Sequence, residues 1–375
     1  GSAPTFGYDL TGANTSTLPG LALTGIGNPA AKWEENTTIN IGFDGTLFNN
    51  KIDVIFDWYT RQTKDLLYRN PLPATVGTAT PPFVNIGTMK NSGIDVMVTY
   101  RDRVSSKFRY EMDFIFTKYT NEITKVSDDV TFFDSQFSGR IGGGVVRNSI
   151  GQPVSSFFGY NVLGLFSDAA DVDKSPDQEG AAPGRFKYED VNGDGRINDQ
   201  DRTFLGNPNP DFTYGFNARL IFGDFDIEGL FYGVYGGEVL NFTRWFTDFY
   251  PSFAGIAKSD RVLNAWTPDN KNTNVPVFEN ISNFSTNGVL NSYYVEKGSY
   301  FRLRSLKLGY VVPSASLKKY GVDRLRFFLQ GTNLFTITKY TGTDPAVSGV
   351  DTNFGVDVGN YPTNRQFLFG LSVGF

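Results

Sequence analysis

Residues 212–235 read FTYGFNARLIFGDFDIEGLFYGVY. In the first arm, Phe212, Tyr214, Phe216, Ala218, Leu220 and Phe222 share one side of an extended chain, and Thr213, Gly215, Asn217 and Arg219 share the other. Strand side chains alternate between faces, so this period of two predicts a strand with one apolar and one polar face. Gly223-Asp224 supplies a two-residue turn, and the chain returns with Phe225, Ile227 and Phe231 against Asp226 and Glu228. Each arm is as long as a tilted strand crossing a bilayer, about 9–11 residues.

The same pattern recurs outward from this hairpin. Ile94, Val96, Val98 and Tyr100 oppose Asp95, Thr99 and Arg101, and Phe108, Tyr110, Met112, Phe114 and Phe116 oppose Arg109, Glu111 and Asp113. TINIGFDGTLF and IDVIFDWYTR form a further hairpin across Asn49-Asn50, and Phe301–Val311 and Leu325–Thr332 a less regular one. The sequence closes on QFLFGLSVGF, with Phe367, Phe369, Leu371, Val373 and Phe375 on one face. A soluble edge strand is expected to carry charge or proline instead. Short turns fall near Asn49-Asn50, Arg103–Ser106, Gly223-Asp224 and Pro313–Val322. Long polar connections span Lys64–Asn91, Tyr119–Asp211, Gly236–Ser299 and Leu334–Arg365. Short turns at one end and long loops at the other predict an all-β fold, an antiparallel transmembrane β-barrel portion with long extracellular loops. A soluble β-sandwich also alternates, but does not require such unequal loops.

About nine strands are expected within residues 37–375, after an extracellular lead-in over 1–36. Bacterial barrels have an even number of strands, and an open edge cannot face lipid. The expectation is therefore the C-terminal part of a larger barrel, with the remaining barrel segment outside this sequence.

Composition narrows the function. The 375 residues include no Cys and no His, which removes disulfides, thiolate chemistry and His-based triads. A net charge of −5 argues against nucleic acid as a partner. The 35 Phe, 19 Tyr and 41 Gly suit strands and turns. The opening residues GSAPTFGYDLTGANTSTLPG lack the basic start and apolar run of a signal peptide, and no apolar run is long enough for a membrane helix.

Within the 119–211 connection lies DVNGDGRINDQD, Asp190 to Asp201. Asp190, Asn192 and Asp194 stand at positions one, three and five of an EF-hand-type loop, and Gly195 at six where the turn needs Gly. Arg196 would offer its carbonyl at seven, Asn198 stands at nine and Asp201 at twelve, with Ile197 as the apolar anchor. This oxygen set predicts a calcium ion, and Asp in place of Glu at twelve predicts weak affinity. The alternative is an Asx-rich turn held by its own hydrogen bonds. On the calcium reading the ion stiffens an extracellular loop that has no core of its own.

Softer candidates follow. NFTRWFTDFY, Asn241 to Tyr250, offers Trp245, Phe246 and Tyr250 as flat surfaces for a sugar substrate, or as a girdle or internal packing. Pro251–Asn264 is expected to hold a short helix. Asp95, Arg109, Glu111, Asp113, Arg219, Asp226 and Glu228 are expected to face the lumen. Gly139–Gly144, GRIGGG, lacks the Lys-Ser/Thr end of a phosphate loop and reads as a flexible loop.

Several stretches resemble the C-terminal barrel region of SusC/RagA-like TonB-dependent outer-membrane transporters of Bacteroidetes. They include KWEENTTINIGFDGTLFNNKIDVIFDWYTRQTKDLL, NIGTMKNSGIDV, EDVNGDGRINDQDRTFLGNPNPDFTYGF, AWTPDN, GSYFRLRSLKLGYVVP, NLFTITKYTGTDPAV and NYPTNRQFLFGLSVGF, in order from Lys32 to Phe375. The resemblance implies a 22-stranded barrel with a plug, of which the plug domain and N-terminal strands are absent here. It implies import of oligosaccharides or peptides across the outer membrane and no enzymatic activity. The implied partners are a SusD-like lipoprotein lid, TonB through the plug, and a second transporter–lid pair. Three other readings remain: a surface calcium-dependent glycan-binding β-protein, a carboxylate-pair hydrolase, and a SusC-like structural subunit of another outer-membrane assembly.

Overall fold

The computed structural model describes every residue except 1–4, 9–17, 22–23, 70–78, 128–129, 136–143, 314–316, 318, 320 and 350–352. Nine strands form one antiparallel sheet in chain order. They are β1 (Glu35–Leu47), β2 (Ile52–Lys64), β3 (Thr88–Arg103), β4 (Phe108–Lys125), β5 (Phe212–Phe222), β6 (Phe225–Tyr235), β7 (Tyr300–Val311), β8 (Arg324–Thr338) and β9 (Gln366–Gly374). Each strand pairs with the one before and after it, so the sheet is an up-and-down meander. β1 and β9 are its open edges. In a bilayer both edges need partner strands, because backbone groups facing lipid cannot be left unpaired.

The alternation sets the two faces. Phe114 of β4, Phe216 of β5 and Phe231 of β6 lie on one rung of one face, with ring centroids 4.8 and 6.0 Å apart. This face is exposed along its length: Phe43, Phe114, Phe222, Leu329 and Phe369 are all open to the surroundings. An apolar band of this extent has no place in water and matches the lipid-facing band of a membrane barrel. Aromatic rings gather at both of its margins. Tyr100–Tyr110 and Phe225–Tyr310 mark the short-turn end, and Phe212–Tyr235 and Tyr214–Phe301 the long-loop end. These are the positions of interfacial aromatic girdles.

Turn chemistry explains the short connections. Gly223 has a φ of 58°, as the first position of a two-residue hairpin turn requires. Phe48, Asn49 and Asn50 are all left-handed, which asparagine tolerates best after glycine. The strands outrun the sequence expectation at the long-loop end. β4 continues through Tyr119 to Lys125, so residues 119–125 are strand and not loop, and β1 begins at Glu35. Lys118, Thr120, Glu122 and Thr124 occupy the outward face there, so the strand leaves the apolar band and its hydrophobic signal ends before its pairing does. β7 and β8 read irregularly because the register shifts between Leu303 and Ser305. Arg304 is an extra residue against β6 and breaks the period of two in β7, while on β8 two residues, Asn333 and Leu334, oppose it.

The long connections fold together. Residues 132–135, 146–149, 156–160 and 202–206 form a four-stranded sheet. Residues 238–241 pair antiparallel with 295–297 and parallel with 356–357. Val146, Phe157, Tyr188, Leu240, Tyr294 and Val356 are fully or nearly fully buried in one cluster drawn from three connections. The expectation of a loop without a core is therefore corrected: these loops bury a core with one another, which none of them could build alone. Residues 251–264 hold a 3-10 turn at Asp260–Asn264 capped by Ser259, while the α-helical turn lies earlier, at Thr243–Thr247. Gly139–Gly143 lie outside the described residues. Among the described residues no helix is long and apolar enough to cross a membrane.

Val96 lies on the outward face beside Phe56 and Phe116, and Asp95 on the inward face. Val96→Arg in the complete barrel is expected to cost about 2–4 kcal/mol, and Asp95→Asn far less. Thermal unfolding of the two variants in lipid vesicles checks this; equal losses would contradict the assigned faces.

Candidate functional site

Two polar surfaces adjoin the lipid band: the inner face of the sheet and the cap formed by the long loops. On the inner face Glu111 (β4), Arg219 (β5), Glu228 (β6) and Lys307 (β7) occupy one rung and alternate in sign. Opposite charges on adjacent strands attract, which favours this register. Next to this rung, Asp226 of β6 receives Arg326 of β8 across the intervening strand, with Nε to Oδ1 at 3.1 Å. Gly309 of β7 makes this possible, since a Cβ there would lie 2.4 Å from both groups. Asp113 accepts hydrogen bonds from the Thr99 hydroxyl at 2.7 Å and the Asn217 amide at 3.4 Å. Asp95 faces Asp57 and Thr117. Arg109 faces Arg103 across the β3–β4 hairpin. All seven residues expected in the lumen therefore lie on this face. Arg326 escaped the sequence reading because 100 residues separate it from Asp226.

Within the cap, the Asp190–Asp201 loop forms a tight turn. Asp190 Oδ1 accepts from the Gly193 amide at 2.8 Å and its Oδ2 from the Gly195 amide at 2.9 Å. Asn192 Oδ1 accepts from the Asp194 amide and Asp194 Oδ1 from the Arg196 amide. Gly193 and Gly195 both take positive φ, which this winding needs. Ile197 anchors the loop in the cap core, as position eight should. Asp201 is fully buried and caps the amides of Val191 and Asn198 at 3.0 and 2.8 Å. Asn198 caps Gln200. Among the described residues no three acidic side chains gather at metal-ligand distance. The side-chain oxygens of Asp190, Asn192, Asp194, Asn198 and Asp201 all accept backbone amides, the pattern of an Asx-rich turn, and they are the same oxygens that a cation would use.

The aromatic candidates separate. Trp245 is buried and its indole N–H donates to the Asn287 carbonyl at 2.9 Å. Phe246 packs edge-on against it at 5.0 Å. Trp245 therefore serves the core, and Phe246 is half-buried against it. Tyr250 remains exposed, against Phe278. Lys258 gathers the carbonyls of Phe246, Phe249 and Phe253 within 3.0 Å, and burial lowers its pKa.

No family model matches the chain. TonB-dependent receptor P3 of Formosa agariphila is 34% identical over 369 residues, 95% of this chain and 36% of that protein. SusC of Bacteroides thetaiotaomicron, also a TonB-dependent receptor, is 26% identical over 93% of this chain and 32% of its own length. The structure of the RagAB peptide transporter matches with a TM-score of 0.78 and 25% identity, over all of this chain and 38% of that one. The chain matches the C-terminal barrel region of SusC/RagA-like TonB-dependent receptors. It spans about a third of the length of the curated relatives it matches. The nine-stranded sheet is accordingly part of an outer-membrane β-barrel, and the proteins it matches are receptors and transporters, not enzymes.

One ion pair ties this barrel region to its cap. Arg302 of β7 donates to Asp344 at 2.6 Å, and Asp344 also accepts from the Thr363 hydroxyl and amide at 2.6 and 3.0 Å and from the Ala346 amide. Burial pushes the Asp344 carboxyl up, but these hydrogen bonds outweigh it and hold its pKa at about 2. A pKa below the ordinary 3.8 means stabilisation that is fully present above pH about 4 and is lost as pH falls through about 2. Asp344→Asn is expected to speed hydrogen exchange in residues 339–365 at neutral pH. The difference from the parent should shrink as pH falls toward about 2, and a gap that stays undiminished between pH 5 and pH 2 would refute the linkage.

Proposed function

We propose that this chain is the C-terminal part of a TonB-dependent importer of large nutrients, with oligosaccharides as the first substrate class and peptides as the second. A SusD-like lipoprotein would cover the cap, TonB would act through a plug carried by the rest of the receptor, and transporter–lid pairs would dimerise. The observation that carries the reading is the combination of an open lipid-facing sheet with ordered matches to SusC and to the RagAB peptide transporter along nearly the whole chain. The folded cap supports it further, since a receptor must present a shaped outer surface to ligand and lid. A soluble glycan-binding module would have to expose the same apolar band to water. The test is mass spectrometry of the protein purified from detergent-solubilised outer membranes. Peptides of a plug, of further strands and of a lipoprotein partner are expected. Recovery of this chain alone, without detergent, would defeat the proposal.

Calcium belongs to the same reading. The Asp190–Asp201 loop supplies oxygen donors in EF-hand order, and a weak site, with Kd of about 10⁻⁴–10⁻³ M, would fill in a calcium-rich exterior. The ion would fix the loop against the core that Ile197 enters. Calcium is expected to protect residues 190–201 from proteolysis in the parent but not in Asp194→Ala. Equal digestion with and without calcium in the parent would leave only the Asx-rich turn.

A further inference from the structure

We propose that the outward face of β2, β3 and β4 at the long-loop end binds the phosphate of an outer-leaflet glycolipid through Lys118; the inference rests on the import reading above, which puts the cap outside the cell. Successive outward rungs show where the lipid band stops. Phe43, Phe56, Val96 and Phe116 form an entirely apolar rung. Ile41, Trp58, Ile94 and Lys118 form the next one toward the cap. Ile39, Thr60, Ser92 and Thr120 follow, and then Thr37, Gln62, Lys90 and Glu122. Polarity rises rung by rung, as it does from hydrocarbon through headgroups to water.

Lys118 is the first charge above the band on these three strands. It is exposed, and among the described residues no carboxylate pairs with it. Ile94 stands directly opposite on β3. Phe116, whose ring lies 5.4 Å from that of Phe212, sits one rung nearer the band. The other outward lysines differ. Lys90 has Glu122 opposite and Lys64 has Glu35. At the other margin of the band Lys51 donates to Asp102 at 2.8 Å. A cation at a bilayer margin attracts an anionic headgroup, and Lys118 has no protein acid across the sheet to compete for it.

The neighbours of Lys118 select the kind of lipid. Trp58, on the same rung, is exposed and suits the level where acyl chains meet headgroups. On the rung above, the Thr60 and Ser92 hydroxyls share a hydrogen bond at 2.9 Å, and Thr120 donates to the Ser92 carbonyl at 3.3 Å. These hydroxyls keep acceptor capacity to spare. A simple phospholipid has little beyond its phosphate to meet them. A phosphorylated, acylated sugar carries acyl chains for the band, a phosphate for Lys118 and sugar hydroxyls for the threonines. The strands stay paired for two rungs past Lys118 with polar residues outward, which gives such a thick headgroup a wall.

The test uses the complete receptor with its native partners in detergent. It is titrated with rough lipopolysaccharide, with the same glycolipid after phosphatase treatment and with phosphatidylglycerol, and native mass spectrometry counts the bound lipid. Rough lipopolysaccharide is expected to bind best. Lys118→Gln should weaken it about fivefold, Lys118→Arg should restore it, and Lys51→Gln at the other margin should leave it unchanged. Heat-modifiable migration of the barrel should be the same in all three variants. Equal binding by Lys118→Gln, or equal binding of the phosphatase-treated glycolipid, overturns the site. Phosphatidylglycerol bound as tightly, with the same dependence on Lys118, overturns the sugar part of the assignment. The orientation is tested separately by a membrane-impermeant maleimide on intact cells carrying Leu263→Cys in the exposed cap. Labelling supports the exterior cap, and its absence would defeat that reading whatever lipid binds in detergent.

Discussion

A peptide group in hydrocarbon has no water to turn to, so each N–H and C=O that crosses a bilayer must bond within the protein. The nine-stranded meander meets this condition everywhere except along β1 and β9. The rest of the architecture follows from it. Adjacent strands must be antiparallel neighbours joined at alternate ends, one face must be apolar over the membrane thickness, and further strands must close both edges. The alternation that runs through β5 and β6 is the sequence expression of that single demand.

The two ends of the sheet have different tasks. At one end, turns as tight as Gly223-Asp224 return the chain at once. At the other, three connections leave the sheet and bury Phe157, Leu240, Leu290 and Val356 against one another. The cap is joined to the strands by specific ties and not by contact area alone: Arg302 reaches Asp344, and Gly236 and Gly237, both at positive φ, turn β6 beneath Asp211 and Pro208.

The lipid-facing strands were legible because their signal is local: one residue in two is apolar, as from Phe108 to Phe116. The signal failed where that rule is suspended. Beyond Thr117 the outward residues of β4 turn polar while pairing continues. At Arg304 a bulge shifts the register, and Asn333 takes a φ of 52°, so β7 and β8 looked irregular. The cap core was not legible, since its members come from positions near 146, 157, 240, 290 and 356 and no local period links them. Trp245 shows the same limit: its sequence neighbourhood suggested an aromatic surface, and only the fold reveals that Asn287 and Phe242 enclose it. The twelve-residue loop was legible in its first half, where Asp190, Asn192 and Asp194 share a turn. Asp201, by contrast, acts as a cap to Val191 and Asn198.

The lipid-facing sheet is the claim on which everything else rests, and the absence of cysteine makes it directly measurable. Single cysteines placed along β4 at Glu111, Met112, Asp113 and Phe114 of the complete receptor in vesicles can each carry a spin label. The labels are then compared for relaxation by oxygen, which concentrates in lipid, and by a water-soluble nickel chelate. Labels at Met112 and Phe114 should respond to oxygen, and those at Glu111 and Asp113 to the nickel chelate. Equal access of the chelate at all four positions would contradict a membrane-spanning sheet.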